Sequence, residues 1–278
     1  MFFTGIADEA GRTIEDQIRA HKDLGWSHIE IRNVEDTPLA YASEKEFDAI
    51  RGKLQDAGIQ VSCFAGRIAN WARDIKGPLD EDIEELKLSI PRMKTMNTPF
   101  IRTMTWANKS NVGEAEWRRD ALARMRELAR VAEDGGVTLV HENCDGWAGL
   151  GPEQTLEMLT EIDSPALKLV YDTGNPIPHE QDPWDFYSKV RDHIVYVHIK
   201  DAVRKNGDVH YVMCGDGDAR VPETLKDLFA CGYDGGLSIE PHIQAQVHLG
   251  TDGDPKEKYR TYCEFGRRLM ALVETARA

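Results

Sequence analysis

The chain has 278 residues, 41% hydrophobic and 29% charged, the balance of a globular protein with room for one large core or two small ones. No apolar run approaches the roughly 18 residues of a membrane span, and the first residues lack the basic start and apolar stretch of a signal peptide, so a cytoplasmic protein without a membrane partner is expected. A net charge of −14 argues against a nucleic-acid partner, and five cysteines without a CxxC pair argue against a disulfide framework or a zinc ribbon.

The predicted elements alternate in chain order. "FFTGIA" from Phe2 reads as a strand. A helix follows from Thr13, a plausible N-cap with Asp16 three residues on, to a stop at Gly25. "SHIEIR" is the next strand, and a second helix runs from the cap Ser43 to Gly58. "IQVSCFA" and "FIRTMTW" follow as strands. The segment after them aligns Trp117, Ala121, Met125, Leu128 and Ala132 on one helical stripe. Strands "VTLVHE", "LKLVYD", "IVYVHI" and "GLSIEP" complete the set, and a last helix starts near Pro255. The long glycine-containing segment from Val203 to Pro222 reads as a loop.

Eight strands, near-continuously hydrophobic and separated by mostly helical segments, point to a parallel sheet covered by helices. Eight such repeats in one domain, residues 1–278, predict a (β/α)8 TIM barrel with its active site at the C-terminal ends of the strands. A doubly wound sheet is the alternative, but "GIADEAGRT" after the first strand carries no glycine-rich phosphate loop.

A barrel brings all strand ends to one rim. Glu142, Asp172, His198 and Glu240 end, or nearly end, four successive strands. Three clustered carboxylates repel one another unless a cation lies between them. Oxygen ligands with one imidazole suit one divalent ion: Mn, Mg, Co or Zn. Such an ion acts as a Lewis acid on a carbonyl oxygen and an adjacent hydroxyl and stabilises an enediolate. Glu142 and Glu240 are the candidates to remove and return the proton. Lys200 and Arg204 are candidates to bind substrate hydroxyls or a phosphate or to stabilise oxyanions, with a surface or barrel ion-pair role as the alternative. Trp106 and Trp147, just beyond strands four and five, are placed to stack on a sugar ring or to pack. Asp8, Glu9 and Arg67 are further rim candidates, and His141 is expected behind the ligands.

The segments "HEN", "YDTGN", "VHIKD", "GDGD" and "SIEPH" together resemble the xylose isomerase-like TIM-barrel superfamily, in particular its sugar phosphate isomerase/epimerase group. The resemblance covers essentially the whole chain. It implies a metal held by Glu142, Asp172, His198 and Glu240, with the two glutamates as the acid/base pair. It also implies that Arg204, six residues after the metal histidine, contacts substrate. The similar epimerases carry a histidine three residues after the metal aspartate, where this chain has Asn175; His179 is a candidate to compensate. The expected function is metal-dependent isomerisation or epimerisation of a sugar or keto-sugar, unphosphorylated because no phosphate motif is visible. A lyase or dehydratase acting on an inosose or 3-keto-glycoside is the alternative. Nuclease activity of the apurinic-endonuclease type is disfavoured because strands three and four end without histidine, and a non-catalytic sugar-binding barrel because both glutamates are present. Relatives of this kind are often dimers or tetramers, so a homo-oligomer is possible.

Overall fold

The structure, a computed structural model, describes residues 1–244 and 253–278. Eight parallel strands form one sheet: β1 (Phe2–Gly5), β2 (His28–Ile31), β3 (Gln60–Ile68), β4 (Phe100–Thr105), β5 (Thr138–Gly146), β6 (Leu167–Asp172), β7 (Ile194–Ile199) and β8 (Gly236–Ile239). A main helix follows each strand: α1 (Ile14–Asp23), α2 (Glu44–Asp56), α3 (Asp80–Met96), α4 (Glu114–Gly135), α5 (Pro152–Ile162), α6 (Pro183–Val190), α7 (Val221–Ala230) and α8 (Pro255–Arg277). Pairing runs from β2 in sequence to β8 and on to β1. One parallel bridge, Ile6 to Glu30, links β1 back to β2. The sheet is a nearly closed (β/α)8 barrel, as the alternating pattern predicts.

Local signals start and stop the helices where the sequence placed them. The Thr13 hydroxyl accepts from the Asp16 N–H at 3.1 Å, and Ser43 and Glu46 form a reciprocal capping box. Gly25 and Gly58 end α1 and α2 at φ 71° and 66°, a left-handed turn that glycine adopts without a Cβ penalty.

Alternation along the strands sets the barrel interior. Cys63, Val140, Val170 and Tyr196, with Phe2 and Phe100, form an apolar plug. Residues two apart in a strand share a face. Two positions on from Phe2, Phe100, Val140, Val170 and Tyr196 stand Thr4, Arg102, Glu142, Asp172 and His198, so a polar layer lies on the plug. Outside the strands, two larger clusters bury the inner stripes of the helices, one including Phe47, Leu86 and Leu128, the other Phe186, Leu225 and Leu269.

The predicted loop after β7 is partly a hairpin: Ala202–Lys205 pairs antiparallel with Asp208–Tyr211. Asn206 and Gly207 turn it with φ 55° and 91°, the two positive values that a two-residue Asn-Gly turn requires. Among the described residues no helix is long and apolar enough to cross a membrane, and all five cysteines are free thiols.

Candidate metal centre

Register brings the four strand-end residues together. His198 is paired with Asp172 on one side and with Ser238 on the other. Glu240 follows directly on β8, and Glu142 lies within β5. Glu142, Asp172, His198 and Glu240 are all buried, and one potential ligand atom from each lies within 4.8 Å of the others. His198 Nδ1 is 3.5 Å from Glu142 Oε1 and 4.0 Å from both Asp172 Oδ2 and Glu240 Oε2.

Glu30 on β2 holds the imidazole from behind. Both its oxygens lie 3.2 Å from His198 Nε2, and the Ser238 hydroxyl donates to it at 2.5 Å. A carboxylate on the far nitrogen orients a histidine and makes it a better metal ligand. The sequence reading missed Glu30. The alternation in "HIEI" is its signal: a carboxylate at the inward-facing position of a strand is paired with something.

Opposing charges balance this layer. Burial alone would raise the Glu142 carboxyl, but Arg102 and His198 outweigh it and hold it at about 2. Burial is offset at Glu240 by Lys200 and the nearby histidines, which keep its carboxyl well below the usual range. Asp172 is pushed up to about 6 by burial, against the pull of Lys200. Burial would lower His198, yet Glu30 and Glu142 raise it to about 10. The protein by itself therefore keeps a proton where a divalent cation would need a lone pair.

Whether a metal fits can be read from unsatisfied atoms. Asp172 Oδ2, His198 Nδ1 and Glu240 Oε2 lack hydrogen-bond partners among the described residues, and these are the atoms turned toward one another. Lys200 Nζ lies 2.7 Å from Glu240 Oε2 and 3.1 Å from Asp172 Oδ2, which neutralises charge without satisfying those oxygens by hydrogen-bond geometry. Buried polar atoms without partners are costly. Three carboxylates and one imidazole converge here, and all but Glu142 turn an unpartnered atom inward, which fits a divalent cation.

A cavity of about 310 Å³ opens above this cluster, lined by Arg67, Trp71, Arg102, Glu142, Lys200 and Glu240 among others. It lies at the C-terminal rim, where barrel chemistry takes place. A larger depression of about 550 Å³ surrounds Leu167, Lys168 and Val195, at the opposite strand ends, far from any convergent ligand set.

The remaining sequence candidates divide. Asn175 joins the centre: its amide donates to Glu142 Oε1 at 3.0 Å, and its carbonyl accepts from Lys200 at 3.1 Å. Glu9 and Asp8 both face Arg32 across the rim, at 3.7 and 2.9 Å. His141 is fully buried beside Thr105. Trp106 and Trp147 are 0% and 3% exposed, within the core outside the strands, so neither presents a ring to a solute. Trp106 sits at φ 55° and gives its indole N–H to Asp82 at 2.7 Å, a turn that carries it away from the mouth. Trp71 lines the cavity instead. Arg204 stands on the exposed hairpin, paired with Glu180 at 3.1 Å and donating to the Pro178 carbonyl at 2.8 Å, so it braces a neighbouring loop. His179 faces Asp145 at 3.3 Å and does not line the cavity. Spacing along the chain does not show which way an irregular loop turns.

Known proteins share this fold. A family model described as xylose isomerase-like TIM barrel matches residues 18–269. Inosose dehydratase of Lacticaseibacillus casei is 25% identical over 149 residues, 52% of this chain and 48% of that protein. The matched region thus spans about half of that relative's length. Among solved structures, a D-tagatose 3-epimerase-like protein superposes with a TM-score of 0.78 at 17% identity, covering 100% of this chain and 98% of that one. The IOLI protein, crystallised with a binding zinc atom, also gives 0.78 at 17% identity, covering 99% of each chain.

Proposed function

The chain belongs to the xylose isomerase-like TIM barrel family, and from that premise we propose that it is a divalent-metal-dependent isomerase or epimerase of a neutral sugar or keto-sugar. The observation that carries this reading is the converging set of Glu142, Asp172, His198 and Glu240, in which Asp172, His198 and Glu240 each turn an unsatisfied buried atom to a common point. A divalent cation held there supplies Lewis-acid polarisation of a carbonyl and its neighbouring hydroxyl. The zinc atom named with the IOLI protein is consistent with such a site.

The chain's own residues do the rest. Glu30 fixes the imidazole so that Nδ1 faces inward. Asn175 and Lys200 hold Glu142, Asp172 and Glu240 in place. Glu142 and Glu240 reach the cavity from β5 and β8, so one takes a proton beside the carbonyl and the other returns it. Return to the opposite face gives an epimer; return to the neighbouring carbon gives an isomer. Trp71 offers an aromatic wall for a sugar ring.

A second reading, dehydration on the same site, is favoured by the inosose dehydratase relatives. It starts with the same proton abstraction. Elemental analysis of protein purified without chelator, then deuterium exchange into a panel of neutral keto-sugars and keto-cyclitols followed by NMR, tests both. About one divalent ion per chain, and metal-dependent exchange giving a product of unchanged composition, is the expected result. A product lighter by one water assigns the dehydratase. A protein that binds no divalent ion sinks both.

A further inference from the structure

We propose that Arg102 is a positioning residue that divides each acid/base glutamate into one oxygen for the metal and one for the substrate. This rests on the proton-transfer reading above. Glu142 Oε1 and Glu240 Oε2 face His198 Nδ1, at 3.5 and 4.0 Å. The other two oxygens face Arg102: its Nη1 is 3.1 Å from Glu142 Oε2 and 3.9 Å from Glu240 Oε1. A single guanidinium nitrogen therefore addresses the second oxygen of both glutamates. Arg102, Glu142 and Glu240 all line the cavity.

Arg102 is held for this task. It is 5% exposed, and its Nε and Nη2 both donate to the Gly66 carbonyl at 3.4 Å. Arg32 Nη1 flanks Glu240 Oε1 from β2 at 3.3 Å. Glu142 Oε2 has no hydrogen-bond partner among the described residues despite its ion pair, so a lone pair stays available to a substrate proton. A guanidinium does not give up its own proton at physiological pH. Its charge faces both carboxylates, so either glutamate can take the proton.

The exchange balances. One glutamate oxygen takes a proton from the carbon beside the carbonyl. The C–H electron pair forms the carbon–carbon double bond, and the carbonyl pair moves onto oxygen. The other glutamate, ionised at rest, takes up a proton from water entering the cavity and gives it to carbon as the pairs move back, and the first glutamate releases its proton to water. Nothing is oxidised or reduced.

The test uses the full chain and two variants, Arg102→Gln and Arg102→Lys, with circular dichroism to confirm folding. Manganese alone is titrated first. Removing the positive charge beside Glu142 in Arg102→Gln tightens manganese binding about tenfold, while Arg102→Lys stays near wild type. Deuterium exchange into the panel compound that wild type processes fastest is measured next. In Arg102→Gln, kcat falls about 100-fold with KM little changed, and Arg102→Lys recovers part of it. If Arg102→Gln fails to fold, Arg102→Lys decides: normal manganese affinity with slowed exchange supports the assignment. Unchanged manganese affinity in Arg102→Gln, or exchange at the wild-type rate in either variant, overturns it. If wild type exchanges no compound, the proposed function fails, while the manganese titration still decides where the arginine's charge acts.

Discussion

At the scale of single residues, the centre depends on groups that never meet solvent. Glu30 is 0% exposed and touches the candidate metal only through His198. Glu30→Gln keeps the shape but replaces an anion behind the imidazole with a neutral amide. The expected outcome is a loss of roughly 10- to 100-fold in manganese affinity, measured by calorimetry on folded protein; unchanged affinity would show that His198 needs no support. The four strand-end residues were legible in the sequence because ligand-type side chains recur at the same place in successive repeats. Arg102 and Glu30 were legible only in principle. Each lies inside a strand, and their partners are tens to hundreds of residues away in the chain.

Among the elements, the β7 segment shows how a motif serves architecture as well as chemistry. In "VHIKD", His198 and Lys200 point to the centre, while Asp201 turns into the following loop. Its carboxylate accepts backbone N–H groups of Ala202, Gly215, Gly217 and Ala219 at 2.8 to 3.1 Å. Gly217 is required there, since a Cβ would lie 2.2 Å from that carboxylate. One buried side chain thus shapes the whole "GDGD" segment. Asp201→Ala strands four amide donors and is expected to cost about 3 kcal/mol, read from urea unfolding. A loss under about 0.5 kcal/mol would mean that water or a neighbour takes over. The sequence reading saw "GDGD" as part of a loop. The Asn206–Gly207 hairpin is hard to read there because its two strands are only four residues each and lie in a glycine-containing segment. The barrel strands and α1 and α2 were read correctly because their periodicity and caps are local properties of the chain.

For the whole molecule, burial couples stability to pH. His21 is fully buried between the Gln17 carbonyl and the Tyr262 hydroxyl, at 2.8 and 3.2 Å, and burial lowers it from 6.5 to about 4. The folded state keeps it neutral, whereas the unfolded chain takes up a proton below about pH 6.5. Its contribution, about 3 kcal/mol, is present above that pH and lost as pH falls toward 4. Urea unfolding at pH 7.5 and 5 should show a smaller drop in His21→Asn than in wild type; equal drops would place the pH sensitivity elsewhere. His21 also joins α1 to α8, across nearly the full length of the chain, and contributes to the same closure as the Ile6–Glu30 bridge. The sequence by itself determined the eightfold alternation, and with it the barrel and the rim that gathers Glu142, Asp172, His198 and Glu240, because strand and helix patterning is local and a closed parallel barrel has one catalytic end. Only the tertiary structure decided which oxygen of each glutamate faces His198, that Arg102 and Glu30 complete the polar layer, and that Trp71 rather than Trp106 or Trp147 lines the mouth. Those outcomes depend on register between distant strands and on the direction of irregular loops, which no periodicity encodes.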